Sequence, residues 1–336
     1  MTTIPRRTDT QAVRFCFIAM ILAAALAGPS CQTMVTLPPV TPPSTPPPPP
    51  PAPPPGGGTT GGGTSSVVTD LTVLEQLALE RVNRARLRPA AEAARFGIDL
   101  NEGLPAGTIS ARSKQAVAVN PMLTAAARAH AQDMLQRNYF EHNAPEGTTP
   151  FDRMRAAGYL FRSAGENLAW SGTTGTLDPV QTVENEHRDL FVDTDIPDRG
   201  HRVVMLIDNF KEAGVGVRRG NFTFNAVTYD SIMQAMDFGT TANSPAFVTG
   251  VVYSDLNRNG QYDAGEGTPN VTITLGTAST ATNSAGGYSI AVSTPANYTI
   301  LFATGGPTMI PVGSANVKVD QIDGSRVEIN FGLGPL

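Results

Sequence analysis

The sequence predicts an α+β domain followed by a small all-β antiparallel sandwich, both carried behind a disordered N-terminal stalk. Three observations lead there. Helical periodicity recurs between residues 70 and 190 and then gives way to short apolar runs separated by Gly and Asn, the order of an α+β layer arrangement and not of a wound parallel sheet. From Phe247 onward helical periodicity is absent, and β-branched runs alternate with turn residues. Between Pro38 and Pro55 the chain is mostly proline, followed by Gly56-Gly57-Gly58 and Gly61-Gly62-Gly63, a composition that cannot bury a core.

Taken in order, Arg6, Arg7 and Arg14 precede an apolar run from Phe15 to Leu26 and small residues at Ala25-Leu26-Ala27, the pattern of a secretory signal peptide over residues 1–31. The run is shorter than the roughly 18 to 20 residues of a spanning helix. Both cysteines, Cys16 and Cys31, fall in this zone, so the folded part is expected to hold no disulfide. Cys31 follows Leu26-Ala27-Gly28-Pro29-Ser30, which resembles a bacterial lipoprotein processing site except that the large aliphatic residue sits too far upstream. Cleavage after Ala27 and lipidation at Cys31 both stay open, and only the second would bring the protein to a membrane. Net charge of −5 becomes about −7 once Arg6, Arg7, Asp9 and Arg14 leave, which argues against a nucleic-acid partner. Residues 32–66 form the stalk, about 3 Å per residue in its proline part, with the glycines as a swivel.

The first helix begins near Asp70 or Thr72, where Thr72 and Glu75 have capping-box spacing, and stops before Pro89. Asn120-Pro121 supplies a cap and a first-turn proline for the second, whose apolar stripe carries His130 as a core residue. Thr149-Pro150 opens a short third helix and Gly158 closes it; Asp178-Pro179 opens a fourth with Val183, His187 and Leu190 on one face. The segment at Gly165-Glu166-Asn167 reads as a turn, and Val203–Ile207, Ala213–Val217 and Phe224–Tyr229 read as strands. A boundary belongs between Gly239 and Ala246, giving domains at 67–241 and 246–336. In the second, strands are expected at Val271–Leu275, Tyr288–Val292 and Tyr298–Phe302.

The most specific motif runs from Asp255 to Glu266. Asp255, Asn257, Asn259, Gln261, Asp263 and Glu266 occupy the ligand positions of a twelve-residue calcium loop, with Gly260 at its sixth place. The domain around it resembles the B-type repeats and prealbumin-like modules of bacterial surface adhesins, through Gly250-Val-Val-Tyr-Ser-Asp255 and Thr280-Ala-Thr-Asn-Ser-Ala-Gly-Gly-Tyr288.

Four blocks of the central domain occur in one family's order: Arg81-Val-Asn83-Arg-Ala-Arg86; Ala127-Arg-Ala-His130-Ala-Gln-Asp133-Met134 running into Tyr139-Phe-Glu-His142; Gly165-Glu-Asn-Leu-Ala169; and Gly200-His201-Arg202 with Gly214-Val-Gly216. By these blocks it resembles the bacterial secreted branch of the CAP superfamily, the cysteine-rich secretory, antigen 5 and pathogenesis-related proteins. The resemblance implies an α-β-α sandwich with a cleft lined by two histidines and two glutamates, which binds a divalent metal in some members. Carried across, the histidines are His142 and His201 and the first glutamate is Glu166. The fourth place is open between Glu186, Glu184 and His187.

Two imidazoles and a carboxylate can hold zinc, but no HExxH helix and no GxSxG elbow is present, so a catalytic assignment has little support. The expectation is an exported CAP-domain protein whose cleft takes a divalent metal or a small apolar ligand, with calcium stiffening the sandwich. A metal-dependent hydrolase of peptides or cell-wall polymers and a purely adhesive surface protein are the alternatives.

Overall fold

The computed structural model describes residues 12–16, 20–23 and 70–332; the stalk and Cys31 lie outside them. Strands β1 (Ala12–Cys16) and β2 (Met20–Ala23) come from the expected leader. They are followed by α1 (Leu71–Leu87), α2 (Pro89–Arg95), β3 (Ala118–Val119), α3 (Pro121–Arg137), α4 (Pro150–Ala156), β4 (Phe161–Thr173), α5 (Pro179–Val192), α6 (Gly200–Met205), β5 (Glu212–Phe224) and β6 (Val227–Thr241). The second domain contributes β7 (Ala246–Tyr253), β8 (Thr272–Leu275), β9 (Ala278–Ala281), β10 (Gly287–Val292), β11 (Ala296–Phe302), β12 (Thr308–Val312), β13 (Val317–Ile322) and β14 (Arg326–Phe331). No helix among the described residues is long and apolar enough to cross a membrane.

The central sheet has the order β1-β4-β6-β5-β3, with β2 also on the outer edge of β4. Alternation of side chains along a strand sends successive residues to opposite faces, and each face is covered by helices. Val215, Val217, Ile232, Met236 and Phe238 pack with α1, α5 and α6 in one core. Leu168, Trp170, Met233 and Ala235 pack with Ala127, Ala131 and Met134 of α3 in another. The expected α-β-α layering is therefore present.

Proline punctuates as the sequence suggests. Asn120 accepts from the amides of Met122 and Leu123, Asp178 from those of Val180 and Gln181, and Thr149 forms a reciprocal capping box with Asp152. At α1 the cap is Asp70, which accepts from Thr72 at 2.9 Å. Glu75 is drawn away from the cap to Arg128 and Arg218. Pro89 does not end the helical region, because its missing N–H is harmless in the first turn of α2.

One turn and two strands expected from the sequence are changed by the fold. The Gly165-Glu166-Asn167 segment is the interior of the 13-residue β4, held by β6 across Glu166↔Asp237 and Asn167↔Met236. Val203 and Val204 lie in α6, where a short apolar run serves one turn of a buried helix equally well. Phe224 to Tyr229 is the β5–β6 hairpin itself, with Asn225 and Ala226 at φ 49° and 63°. Gly214 and Gly216 let α3 lie directly on β5: a Cβ at Gly214 would sit 2.0 Å from the amide nitrogen of Thr124, and one at Gly216 2.3 Å from that of Arg128.

The second domain is two four-stranded sheets, β10-β7-β13-β14 and β12-β11-β8-β9, facing each other over Val248, Ile273, Ile300, Phe302, Ile310 and Val319. The expected strands Tyr288–Val292 and Tyr298–Phe302 fall within β10 and β11, and Val271–Leu275 overlaps β8 from Thr272 onward. The sandwich is not wholly antiparallel, since β7 and β13 pair in parallel. The boundary near Pro245 is a tight connection, with Lys211 Nζ donating to the carbonyls of Ser244, Pro245 and Ser314. Residues 70–332 pack as parts of one unit.

Replacing Gly216 by Ala should destabilise the chain by about 1 to 3 kcal/mol, because helix backbone and not a pliable side chain blocks the new methyl. Urea denaturation of the variant checks this, with an unchanged midpoint as the contrary result.

Candidate functional site

Glu166 projects from β4 toward the face covered by α3 and α4. It is fully buried, and both oxygens are engaged. His142, in the connection between α3 and α4, donates from Nδ1 to Oε1 at 2.7 Å, and the Arg153 guanidinium of α4 donates to Oε2 at 2.8 Å. Burial opposes ionisation of Glu166, but the His142 hydrogen bond and the Arg153 charge outweigh it and hold the carboxyl below its ordinary range.

Asp237 stands opposite Glu166 on β6, equally buried. Burial and the Glu166 charge push Asp237 well above the usual carboxylate range. The sequence reading missed both Arg153 and Asp237. Nothing in the local pattern of either residue sets it apart; only the strand register and the fold of α4 bring them to Glu166.

His201 belongs to a different cluster. Its ring Nδ1 donates to Asp193 Oδ1 at 2.6 Å, and its backbone amide donates to Asp193 Oδ2 at 2.9 Å. Asp193 therefore caps α6 while ending α5 in the left-handed region at φ 57°. This fixes the Nδ1–H form of the imidazole and leaves Nε2 bare, buried and without a hydrogen-bond partner. Asn167, the neighbour of Glu166, reaches the other face of β4 and donates to the His201 carbonyl at 3.0 Å. The His142–Glu166 and His201–Asp193 pairs thus lie on the two faces of one strand, joined through consecutive residues.

The three residues left open for the fourth place are separated by the fold. Glu186 is buried on α5 at 1% exposure. Glu184 is turned toward α1, where Arg81 holds it at 2.5 Å. His187 is a core residue, donating from Nε2 to Glu92 at 2.8 Å and packed beside Phe96 and Phe191. Burial pulls its pKa down, and the apolar face of α5 that made it a site residue is simply the face toward α2. Glu184 and His187 are therefore withdrawn from the cleft.

Among the described residues, no three His, Cys, Asp or Glu side chains form a group that could hold a metal ion. The donor chemistry suits a metal at His201, whose carboxylate-backed ring with a bare Nε2 is the usual arrangement of a ligating histidine. It does not suit one at Glu166, whose oxygens are taken by His142 and by a guanidinium.

In the Asp255–Glu266 loop, Asp255 accepts from the amides of Asn259 and Gly260, and Glu266 from those of Leu256 and Asp263. Asn257 and Asn259 turn their amides onto Asp263. Gly260 takes φ +74°, which a side chain would resist. The Gln261 side chain is drawn out to Arg84 at 2.9 Å, so only its backbone carbonyl remains for the loop.

Residues 79–230 match the family model of CAP, the cysteine-rich secretory protein family, which supports a CAP domain in that stretch of the chain. It is 35% identical over 98 residues to the uncharacterized protein YkwD of Bacillus subtilis (strain 168), covering 29% of this chain and 33% of that protein. It is 29% identical over 98 residues to the uncharacterized membrane protein YlbC of the same organism, covering 29% and 25%. The chain thus spans a third or less of the length of these relatives.

Among solved structures, an extracellular SCP-domain protein from Bacillus anthracis str. Ames is similar at 21% identity and TM-score 0.27, over 38% of this chain and 35% of that one. An outer surface protein of Borrelia burgdorferi is similar at 14% identity and TM-score 0.32, over 51% and 96%.

On α3, His130 fills the core role its stripe suggests, donating from Nε2 to the Glu141 carbonyl at 3.0 Å. Burial pulls its pKa to about 4, so the native ring is neutral. An unfolded histidine takes up a proton near pH 6.5. Its contribution is therefore complete above about pH 6.5 and is lost as pH falls toward 4. The stability advantage of the wild type over His130→Gln should shrink by a few kcal/mol across that window in urea melts, and a constant difference would contradict the buried neutral ring.

Proposed function

We propose that this is an exported binding protein of the cell envelope, whose CAP domain takes a divalent cation at His201, while His142 is held by Glu166 on the other face of β4. The observation that carries the reading is His201, whose Nδ1 is locked on Asp193 while Nε2 is buried and unsatisfied. Glu166 serves here as the partner that orients His142, and not as a ligand. A bound cation would supply Lewis acidity, while the protein's share is to fix the His201 tautomer through the buried Asp193 carboxylate.

The strand edge bears on access. Residues 20–23 of the expected leader pair with Ser163–Glu166 of β4. Removal of a leader on export would uncover that edge, where the two clusters meet. The hydrolase alternative is weaker: a general base works best with a pKa near neutrality, whereas Glu166 is held low by His142 and Arg153. We further propose that the Asp255–Glu266 loop closes on calcium and stiffens the connection after β7, with Asp255, Asp263 and Glu266, which do not stand as a ready-made group, drawn in as its charged ligands and the Gln261 carbonyl in place of its side chain. The order of the six ligand positions and the left-handed Gly260 support this.

Calorimetry on the full exported chain tests both sites. Zinc should bind the wild type and not a His201→Ala variant, and calcium should bind the wild type and not Glu266→Gln. Superimposable titrations of wild type and variant would contradict the corresponding site.

A further inference from the structure

A cavity of about 300 Å³ lies away from both histidine clusters, between α1–α2 and the second domain. Most of its charged lining is already committed. Arg81 grips Glu184, Asp263 and the Tyr262 carbonyl, and Arg84 holds Glu92 and Gln261. At the base Lys318 joins Glu80 at 2.9 Å and also pairs with Asp320, so that both carboxylates share one buried ammonium.

Three groups are left over. Arg88 is exposed, and its guanidinium has no hydrogen bond or ion pair among the described residues. Arg95 has only Glu92 at 3.7 Å, a carboxylate already bound by Arg84 and His187. Tyr262 is 3% exposed, and its hydroxyl has no hydrogen-bond partner. A buried unsatisfied hydroxyl costs about 1 to 3 kcal/mol, which an acceptor in the cavity would relieve. Two guanidiniums on the rim, Arg88 free and Arg95 paired only at 3.7 Å, favour a carboxylate, which they can bind in a planar, charge-assisted way. Glu328 on the opposite wall, with only the Asn330 amide beside it, disfavours a multiply charged anion.

We propose that this interdomain cavity binds a small molecule with one carboxylate on a polar body, either the end of a short peptide or a sugar acid. The carboxylate is held by Arg88 and Arg95, and an oxygen of the body accepts from the Tyr262 hydroxyl. The site is independent of the cation reading, and the volume falls at the lower end of small-molecule pockets.

Calorimetry on the full chain would use N-acetyl-alanyl-alanine, the same dipeptide as its C-terminal amide, and glucuronate, each at millimolar concentration. At least one carboxylate should bind while the amide does not, and which one binds identifies the source. Arg88→Gln and Arg95→Gln should each weaken binding roughly tenfold to a hundredfold, and Tyr262→Phe should weaken it without altering the fold. Absence of binding by both carboxylates, equal binding of the amide, or unchanged affinity in both arginine variants would overturn the proposal.

Discussion

The segment that carries His201 is held in place by two guanidiniums buried without a full carboxylate partner. Arg86 on α1 donates to the carbonyls of Gln115, Met205, Ile207 and Phe210, all within 3.1 Å. Arg202 on α6 donates to those of Phe191, Val192, Leu100 and Glu102. Burial lowers Arg86 to about 10, which still leaves it charged at neutral pH. A charge in such a place is tolerated only when its donors are satisfied, and here each arginine also satisfies carbonyls at helix C-termini and in the irregular chain beside them. The position of His201 follows from this, because α6 is only six residues long and is preceded by Asp198 and Arg199 in the left-handed region.

The first block of the family pattern has the same explanation. In Arg81-Val-Asn83-Arg-Ala-Arg86, Asn83 exchanges two hydrogen bonds with the backbone of Val117, Arg86 ties down the loops, and Val82 enters the core. Arg81 and Arg84 point the other way, to Glu184, Glu92 and the calcium-type loop. One helix therefore organises the CAP domain with one side and receives the second domain with the other. Asn316 adds to that junction by donating to the Ala116 and Lys211 carbonyls.

Caps and first-turn prolines made α3, α4 and α5 readable, since each depends on neighbours within four residues. The 13-residue β4 was not readable, because Gly165-Glu166-Asn167 has the composition of a turn and becomes a strand only through pairing with β6, some 70 positions away. Periodicity on α5 marked a buried face but could not tell Glu186 from His187, adjacent positions that are both buried, of which His187 is bound to Glu92. Asp193, Arg153 and Asp237 had no sequence signal, yet they decide what the histidines and Glu166 can do. Their roles are properties of the fold.

The account rests on His201 being a pre-oriented imidazole whose outward nitrogen is bare. Nitrogen-15 NMR of the full chain, labelled at histidine, reads this directly. The His201 ring should carry its proton on Nδ1 with Nε2 unprotonated, and added zinc should shift the Nε2 resonance. A ring protonated on Nε2 and indifferent to zinc would contradict it.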